Sequence, residues 1–280
     1  MNKRISLGIV AFVLSIFTFE AIAEVTLGIF PRRPAAKTVK FFKPLAKKLS
    51  DELGEPVKIV VAKNFKEFWK GVKEGKYDVV HYNQYHYLLS SKESGYKVFA
   101  VNEEFGSSTI KGALTVRADA GINSVADLKG KTILFGGGKK AMGSYIAPTW
   151  ALQQAGLKAG DYKVKFSKNP PSAVIGVYNN AADAAGSGNV ILKVGGVKKK
   201  TDVTKLKILA ESKAFIQLPW AANANFPADK VAKIQSVMTS LKGSSDDILK
   251  SAKVTNFVSA TDADFADARS IVKEVTGESL

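Results

Sequence analysis

Three short apolar segments, at 25–30, 57–62 and 77–82, are each followed by a stretch that reads as helix. This alternation constrains the fold more than any other feature of the 280-residue chain. Strands interleaved with helices at this spacing predict a parallel sheet with crossover helices. The first helical stretch carries Val39, Phe42, Leu45, Ala46, Leu49 and Leu53 at helical spacing and stops at Gly54. Ligands of such sheets sit at the carboxyl ends of the strands. The loops 30–36, 62–66 and 82–87 are therefore the candidate contacts.

The rhythm repeats in the middle third. Strands are expected at 112–117, 132–135 and 162–167, a capped turn at 124–131, and helices running to about Ala155 and over 172–179. After Pro219 the pattern is strongly helical, at 227–242, 246–253 and 263–275. Two βα-rich portions predict an α/β chain of two lobes. The expected division is 24–114 with 216–280 as lobe 1 and 115–215 as lobe 2, with hinges near 112–116 and 212–219. Within lobe 2, residues 133–148 read ILFGGGKKAMGSYIAP: a strand, three glycines, two lysines and an apolar helix start. Such a junction aims backbone N–H groups and the positive end of a helix at one spot, where an anion can sit.

The first residues set the expected compartment. Lys3 and Arg4 precede an apolar run over 5–19, and Ala21-Ile22-Ala23 supplies a small-x-small cleavage site. This is the layout of a secretory signal peptide over 1–23, since the run is shorter than the roughly 20 residues that span a bilayer. There is no cysteine, so packing alone must hold an exported chain together, and lipid attachment through cysteine is excluded. A periplasmic location is expected. The net charge of +16 would point a cytoplasmic chain toward nucleic acid, but export removes that partner. Much of the charge is spread as solvated lysines, and the resulting field draws small anions toward a cleft.

Residues 124–131, SVADLKGK, resemble the S-x-x-D-L-x-G-K segment of type II periplasmic solute-binding proteins. Gly28-Ile29-Phe30-Pro31, Pro44-Leu45-Ala46, Leu53-Gly54, Gly75-Lys76-Tyr77-Asp78, Gly143 to Pro148 and Ala182-Asp183-Ala184 are similar to the phosphate/phosphite/phosphonate-binding branch. The resemblance runs from about 25 to 275. It implies the type II periplasmic binding protein fold, with two βα sandwich lobes that close on a ligand about a hinge. It also implies a solute-binding component of an ABC importer for a small oxyanion.

The family's helix-opening loop reads approximately Ser-Thr-Ser-Gly, and its hydroxyls and N–H groups hold the phosphorus oxygens. Here the same positions are Ala141-Met142-Gly143-Ser144. The resemblance therefore implies ligand contact from Lys140, Ala141, Met142, Gly143, Ser144 and Tyr145, mainly through the backbone and Ser144. Alternatively the glycines make only a tight turn. A family tyrosine near 81–87 closes over the ligand, which makes Tyr82, Tyr85 and His86 candidates; the other reading is aromatic packing within the lobe. Phe30, Arg32 and Arg33 lie in the first strand's exit loop, where an arginine either grips an oxyanion through a bidentate pair or faces solvent. Asp183 matches a family acid that faces a ligand amino group, or else it serves as a structural hydrogen-bond acceptor. The family's histidine falls at Asn169-Pro170 and is replaced. Tyr178 and Trp220 are candidate pocket walls.

Chemistry on the ligand is not expected. There is no cysteine nucleophile, no convincing serine–histidine–acid set and no pair of carboxylates near the expected cleft. No catalytic residue, cofactor or metal is assigned. The expected partners are a small anionic ligand and an inner-membrane ABC permease, with the protein a monomer. Rivals are a sensory subunit that signals to a membrane kinase or cyclase, a binder of amines or cofactor precursors, and a metal- or metalloid-binding variant. The last would use His81 and His86, but five residues apart across a strand–helix junction is not a standard ligand spacing.

Overall fold

The computed structural model describes residues 24–241 and 246–280, so the expected signal segment lies outside the described residues. The expected alternation is present. β1 (Val25–Ile29), α1 (Ala35–Leu53), β2 (Val57–Val60), α2 (Phe65–Lys73), β3 (Val79–His81), α3 (Gln84–Ser94) and β4 (Lys97–Glu103) come first. β5 (Thr109–Arg117), β6 (Thr132–Gly136), α4 (Ala147–Gln154), β7 (Lys163–Ser167), α5 (Pro170–Tyr178), β8 (Ala184–Gly188), α6 (Gly195–Lys198) and β9 (Leu206–Ile216) follow. The chain ends with β10 (Pro219–Ala222), α7 (Ala228–Thr239), α8 (Asp246–Ala252), β11 (Asn256–Ser259) and α9 (Ala266–Thr276).

The strands form two sheets, ordered β11-β4-β10-β3-β1-β2 and β7-β6-β8-β5-β9. In the first sheet β1 runs parallel to β2 and β3, and in the second β6 runs parallel to β7 and β8. The remaining pairings are antiparallel. The mixed α/β architecture in two lobes matches the expectation. β4, β8, β9, β10 and β11 were not anticipated. β11 is a four-residue strand between two helices, and it exists because β4 offers it an edge, pairing Asn256 with Glu103 through Ser259 with Ala100.

The first crossing between the lobes differs from its expected position, whereas the return crossing at 217–218 lies within the expected 212–219. The first hinge, set at 112–116, falls inside β5, and the boundary at 114/115 would cut that strand. β5 begins at Thr109 because Thr109 pairs with Ile216 and Ile110 with Phe215. This pairing joins residues more than a hundred positions apart, so no local pattern encodes it. The chain leaves the first sheet after Glu103 and enters the second at Thr109. Between them lies a tight bend in which the Glu104 and Ser107 backbones bond to each other. It returns through Gln217 and Leu218, whose backbones bond Ser108 and Asn102.

The first lobe's core gathers Leu27, Phe42, Leu45, Phe68, Trp220 and Ile271 beneath its helices. The amphipathic face of α1 buries Thr38, Phe42, Leu45, Ala46 and Leu49. Apolar contact continues across the lobes, since Met142, Ile146, Ala147 and Phe215 pack into the same cluster. α9 adds polar bonds to the second lobe. Glu274 accepts from the Trp150 indole at 2.7 Å, and Lys213 pairs with Asp267 at 3.3 Å.

Close packing in the second lobe requires glycine at the end of β6 and in the middle of β8. A Cβ on Gly136 would stand 2.3 Å from the Pro170 backbone, and one on Gly186 would stand 2.3 Å from Phe135 and 2.6 Å from the Ser144 carbonyl oxygen. Neither neighbour is the free end of a flexible chain. Gly186→Ala should therefore lower stability by about 1–3 kcal/mol through overpacking, read as a reduced urea midpoint; an unchanged midpoint would contradict this packing.

Candidate functional site

The carboxyl ends of β1, β2 and β3 deliver three loops to one rim of the first lobe. Phe30 leaves β1 with its amide bonded to the His81 carbonyl at 3.0 Å, which ties the first loop to β3. Pro31 and Pro34 stiffen the turn between. The Arg32 guanidinium lies 5.0 Å from the Phe30 ring centre and 3.7 Å from Glu104. Glu104 begins the bend between the lobes, so the arginine reaches from the strand exit to the crossing.

Arg32 keeps 28% of its side-chain surface open. Protein nonetheless surrounds it closely enough that desolvation lowers its pKa against the opposing pull of Glu104. Arg32 is thus a partly enclosed cation at the β1 exit. Arg33 is held down to about 9, first by the charge of Arg32 and then by desolvation, with Glu104 opposing both. Both guanidiniums are charged at neutral pH, and Glu104 is the one carboxylate acting on both. Positive charge at this exit exceeds negative. An anion reaching it would gain charge-assisted hydrogen bonds and relieve repulsion between the arginines.

Asn83 organises the β3 exit. Its Oδ1 caps α3 by accepting from the His86 amide at 2.9 Å and also meets His86 Nδ1 at 2.9 Å. Its Nδ2 donates to the Lys140 carbonyl across the lobes at 3.3 Å. The Lys140 ammonium lies 5.8 Å from the Tyr85 ring centre. These contacts bring the strand exits of the two lobes face to face.

On the second lobe, β6 ends in a turn where Gly137 has φ +99° and the Ala141 amide bonds the Gly138 carbonyl. A single π-type turn over Met142–Ile146 then opens α4, a geometry frequent at functional sites. The Tyr145 and Ile146 amides both donate to the Ala141 carbonyl. The amides of Met142, Gly143 and Ser144 precede them in the first turn, where no helical carbonyl reaches. Gly143 has open space where a side chain would be. The strand, glycine turn and helix start expected over 133–148 are present.

Several expected contacts sit elsewhere. The Ser144 hydroxyl turns back to donate to the Gly136 carbonyl, so it braces the loop rather than facing the cleft. Met142 is 1% exposed and packs into the first lobe's core. Tyr82 is fully buried and bonds Ser90 at 2.6 Å. Tyr145 packs on Phe135 and Phe166, at 5.0 and 5.5 Å. Asp183 precedes β8 and accepts from the Thr132 amide at 2.8 Å, at the amino ends of the strands. Tyr178 ends α5, whose other end follows the β7 exit. Asp183 and Tyr178 are displaced because parallel strands place entry and exit loops on opposite sides of the sheet. Trp220 is buried, stacked on His81 at 4.3 Å and bonded to Asn102.

Phe30, Arg32, Lys140, Ala141 and Gly143 lie in the loops that meet, whereas Tyr85 and His86 are buried in the first turn of α3, the Tyr85 hydroxyl donating to Glu278 at 2.7 Å. The two histidines do not converge. His81 Nδ1 meets the Pro219 carbonyl at 3.0 Å inside the core, whereas His86 lies under Phe65. Among the described residues no group of three His, Asp or Glu side chains is placed to hold a metal. Sequence reasoning missed Asn83, Glu104 and Phe65. Asn83 carried a legible signal, a cap residue ahead of a helix. Glu104 carried none, because its partner is seventy-two positions away.

A family model described as the ABC transporter, phosphonate, periplasmic substrate-binding protein matches residues 27–265. Among solved structures, PhnD1 from Prochlorococcus marinus in complex with methylphosphonate is 18% identical, with TM-score 0.78, covering 91% of this chain and 99% of that one. The binding protein component of an ABC phosphonate transporter from Pseudomonas aeruginosa is 16% identical, with TM-score 0.74, covering 89% and 85%. XAC2383 from Xanthomonas citri, solved bound to ATP, is 15% identical, with TM-score 0.72, covering 91% and 96%. At these identities the structures share the fold.

The buried imidazoles make stability depend on pH. Burial, aided by Lys140, holds His86 down to about 4, and burial together with Arg32 holds His81 well below its usual value. Both pKa values are depressed in the fold, so the unfolded chain takes up protons first. Their contribution is complete above about pH 6.5 and is lost as pH falls toward 4. For His86 the full loss is about 3 kcal/mol, from the 1.36 kcal/mol carried by each pKa unit. His86→Phe, which keeps a ring on Phe65, should lose about 2–3 kcal/mol less than the parent between pH 7 and 4.5 in urea titrations. Equal losses would rule out a buried neutral His86.

Proposed function

The chain belongs to the periplasmic phosphonate-binding family of ABC-transporter substrate-binding proteins, and from that membership we propose that it captures a small oxyanion of the phosphonate, phosphite or phosphate kind between its lobes. The family's role is binding and delivery, not chemistry on the ligand. A binding protein of this fold closes because the ligand touches both lobes only in the closed state, shifting the equilibrium by its differential affinity. The captured anion would pass to an inner-membrane permease. The methylphosphonate complex of PhnD1 supports a phosphorus oxyanion as ligand.

One observation carries the reading: at the β1 exit the Arg32 guanidinium faces Glu104 at 3.7 Å, and Arg33, whose guanidinium lies 5.5 Å from the Phe41 ring centre, follows it in the same loop. The hydroxyl-bearing loop of the family is replaced by Ala141-Met142-Gly143, and Ser144 is engaged with Gly136. The grip on the anion then shifts toward Arg32 and Arg33, with the amides of Met142, Gly143 and Ser144 contributing from the second lobe. A micromolar dissociation constant corresponds to about 8 kcal/mol, within reach of a few charge-assisted bonds in a water-poor cleft.

The reading is tested by calorimetry and thermal shift with methylphosphonate, phosphite, phosphate and sulfate. A ligand at 100 times its dissociation constant should stabilise the protein by about 2.7 kcal/mol. Silence from every phosphorus oxyanion would reject it. Arg32→Ala should weaken binding by about 10- to 100-fold, the loss of a hydrogen bond to a charged group, with little change in the unliganded melting temperature. Asp183→Asn should do the reverse, lowering stability and leaving affinity intact.

A further inference from the structure

Phe65 is the first residue of α2, fixed there by Asn64, whose Oδ1 accepts from the Glu67 amide at 2.9 Å. It stands on the rim where the β1, β2 and β3 exits meet. Its ring stacks on the His86 imidazole with centres 6.0 Å apart and planes 20° apart. Phe30 flanks it at 6.4 Å, and Trp69 supports the imidazole from one helical turn further on, at 5.5 Å. One face of Phe65 is therefore occupied, yet 44% of the residue remains exposed. That exposed surface stands open at the rim.

A bare oxyanion makes no use of such a surface. Its needs are met by guanidinium and amide donors, and an open phenyl ring beside them gains nothing from it. An aromatic ring on the ligand would use it, because offset stacking adds affinity beyond simple burial. The charges flank this rim suitably. Phe30 alone separates Phe65 from the Arg32 guanidinium, which lies 5.0 Å from the Phe30 ring centre. On the other side the Lys140 ammonium lies over Tyr85, whose ring meets His86 edge-on at 5.7 Å. The shelf is neutral at neutral pH, since His86 is uncharged there, and Arg32 and Lys140 lie over the neighbouring rings Phe30 and Tyr85.

We propose that Phe65 is a stacking platform for an aromatic ring carried by the ligand, so that the chain prefers an aryl-bearing phosphonate or phosphate ester to inorganic oxyanions or methylphosphonate. This rests on the phosphorus-oxyanion reading above and narrows it. Ring and anion are read by different residues, Phe65 for the first and Arg32 for the second, so each can be removed alone.

The test is calorimetric titration of the full mature protein with phenylphosphonate and methylphosphonate. The parent should bind phenylphosphonate about ten-fold more tightly. Phe65→Ala should bring the two within about two-fold of each other by weakening phenylphosphonate alone, and Phe65→Tyr should restore the preference. Because the ring is so exposed, Phe65→Ala should melt close to the parent, and methylphosphonate affinity reports on its fold. Equal affinities in the parent, or a preference that survives Phe65→Ala, overturn the platform and leave the oxyanion reading standing. Failure of both compounds to bind overturns both.

Discussion

Strand direction is the constraint on which the rest of this structure depends. β1, β2 and β3 run parallel in one sheet, and β6, β7 and β8 run parallel in the other. The β3 and β6 exits meet through the Asn83–Lys140 bond. Loops that follow these strands and loops that precede them lie at opposite ends of each sheet. Arg32, Asn83 and Gly143 follow strands. Asp183 precedes one, and its carboxylate caps the Thr132 amide instead.

Charge then selects among the available loops. The β1 exit beside Phe30 carries two guanidiniums, Arg32 facing Glu104, and Glu104 opens the bend between the lobes. Recognition and crossing therefore share a residue. On the proposed reading, an anion that competed with Glu104 for Arg32 would act on the bend between the lobes, which would link ligand capture to closure. On the second lobe, the loop that supplies hydroxyls in the family supplies backbone amides here, and Met142 is committed to apolar packing between the lobes.

Much of this was legible in the chain itself. The βα alternation, the helix stop at Gly54, and the capping box of Ser124 and Asp127 all appear as read. So does the presence of a strand, a glycine turn and a helix start over 133–148. The pattern failed where a strand owes its existence to a distant partner. β11 pairs with β4, and the start of β5 pairs with the end of β9. The site followed the same division. Arg32 was readable as a charged residue in a strand-exit loop, whereas its pairing with Glu104 depends on the crossing. Phe65 was readable only as an apolar residue at a helix start.

The sequence by itself determined the βα alternation of the first hundred residues, the strand–glycine–helix junction over 133–148, and the family resemblance, because each is carried by residues close together in the chain. Tertiary structure decided which way the side chains in those loops point. It turned the Ser144 hydroxyl back to Gly136, buried Tyr82 on Ser90, sent His81 under Trp220, and left Phe65 open above His86. Hydrogen-bonding and stacking partners are chosen by proximity in space, and here that proximity arises when two sheets, linked by two short crossings, bring their strand exits together.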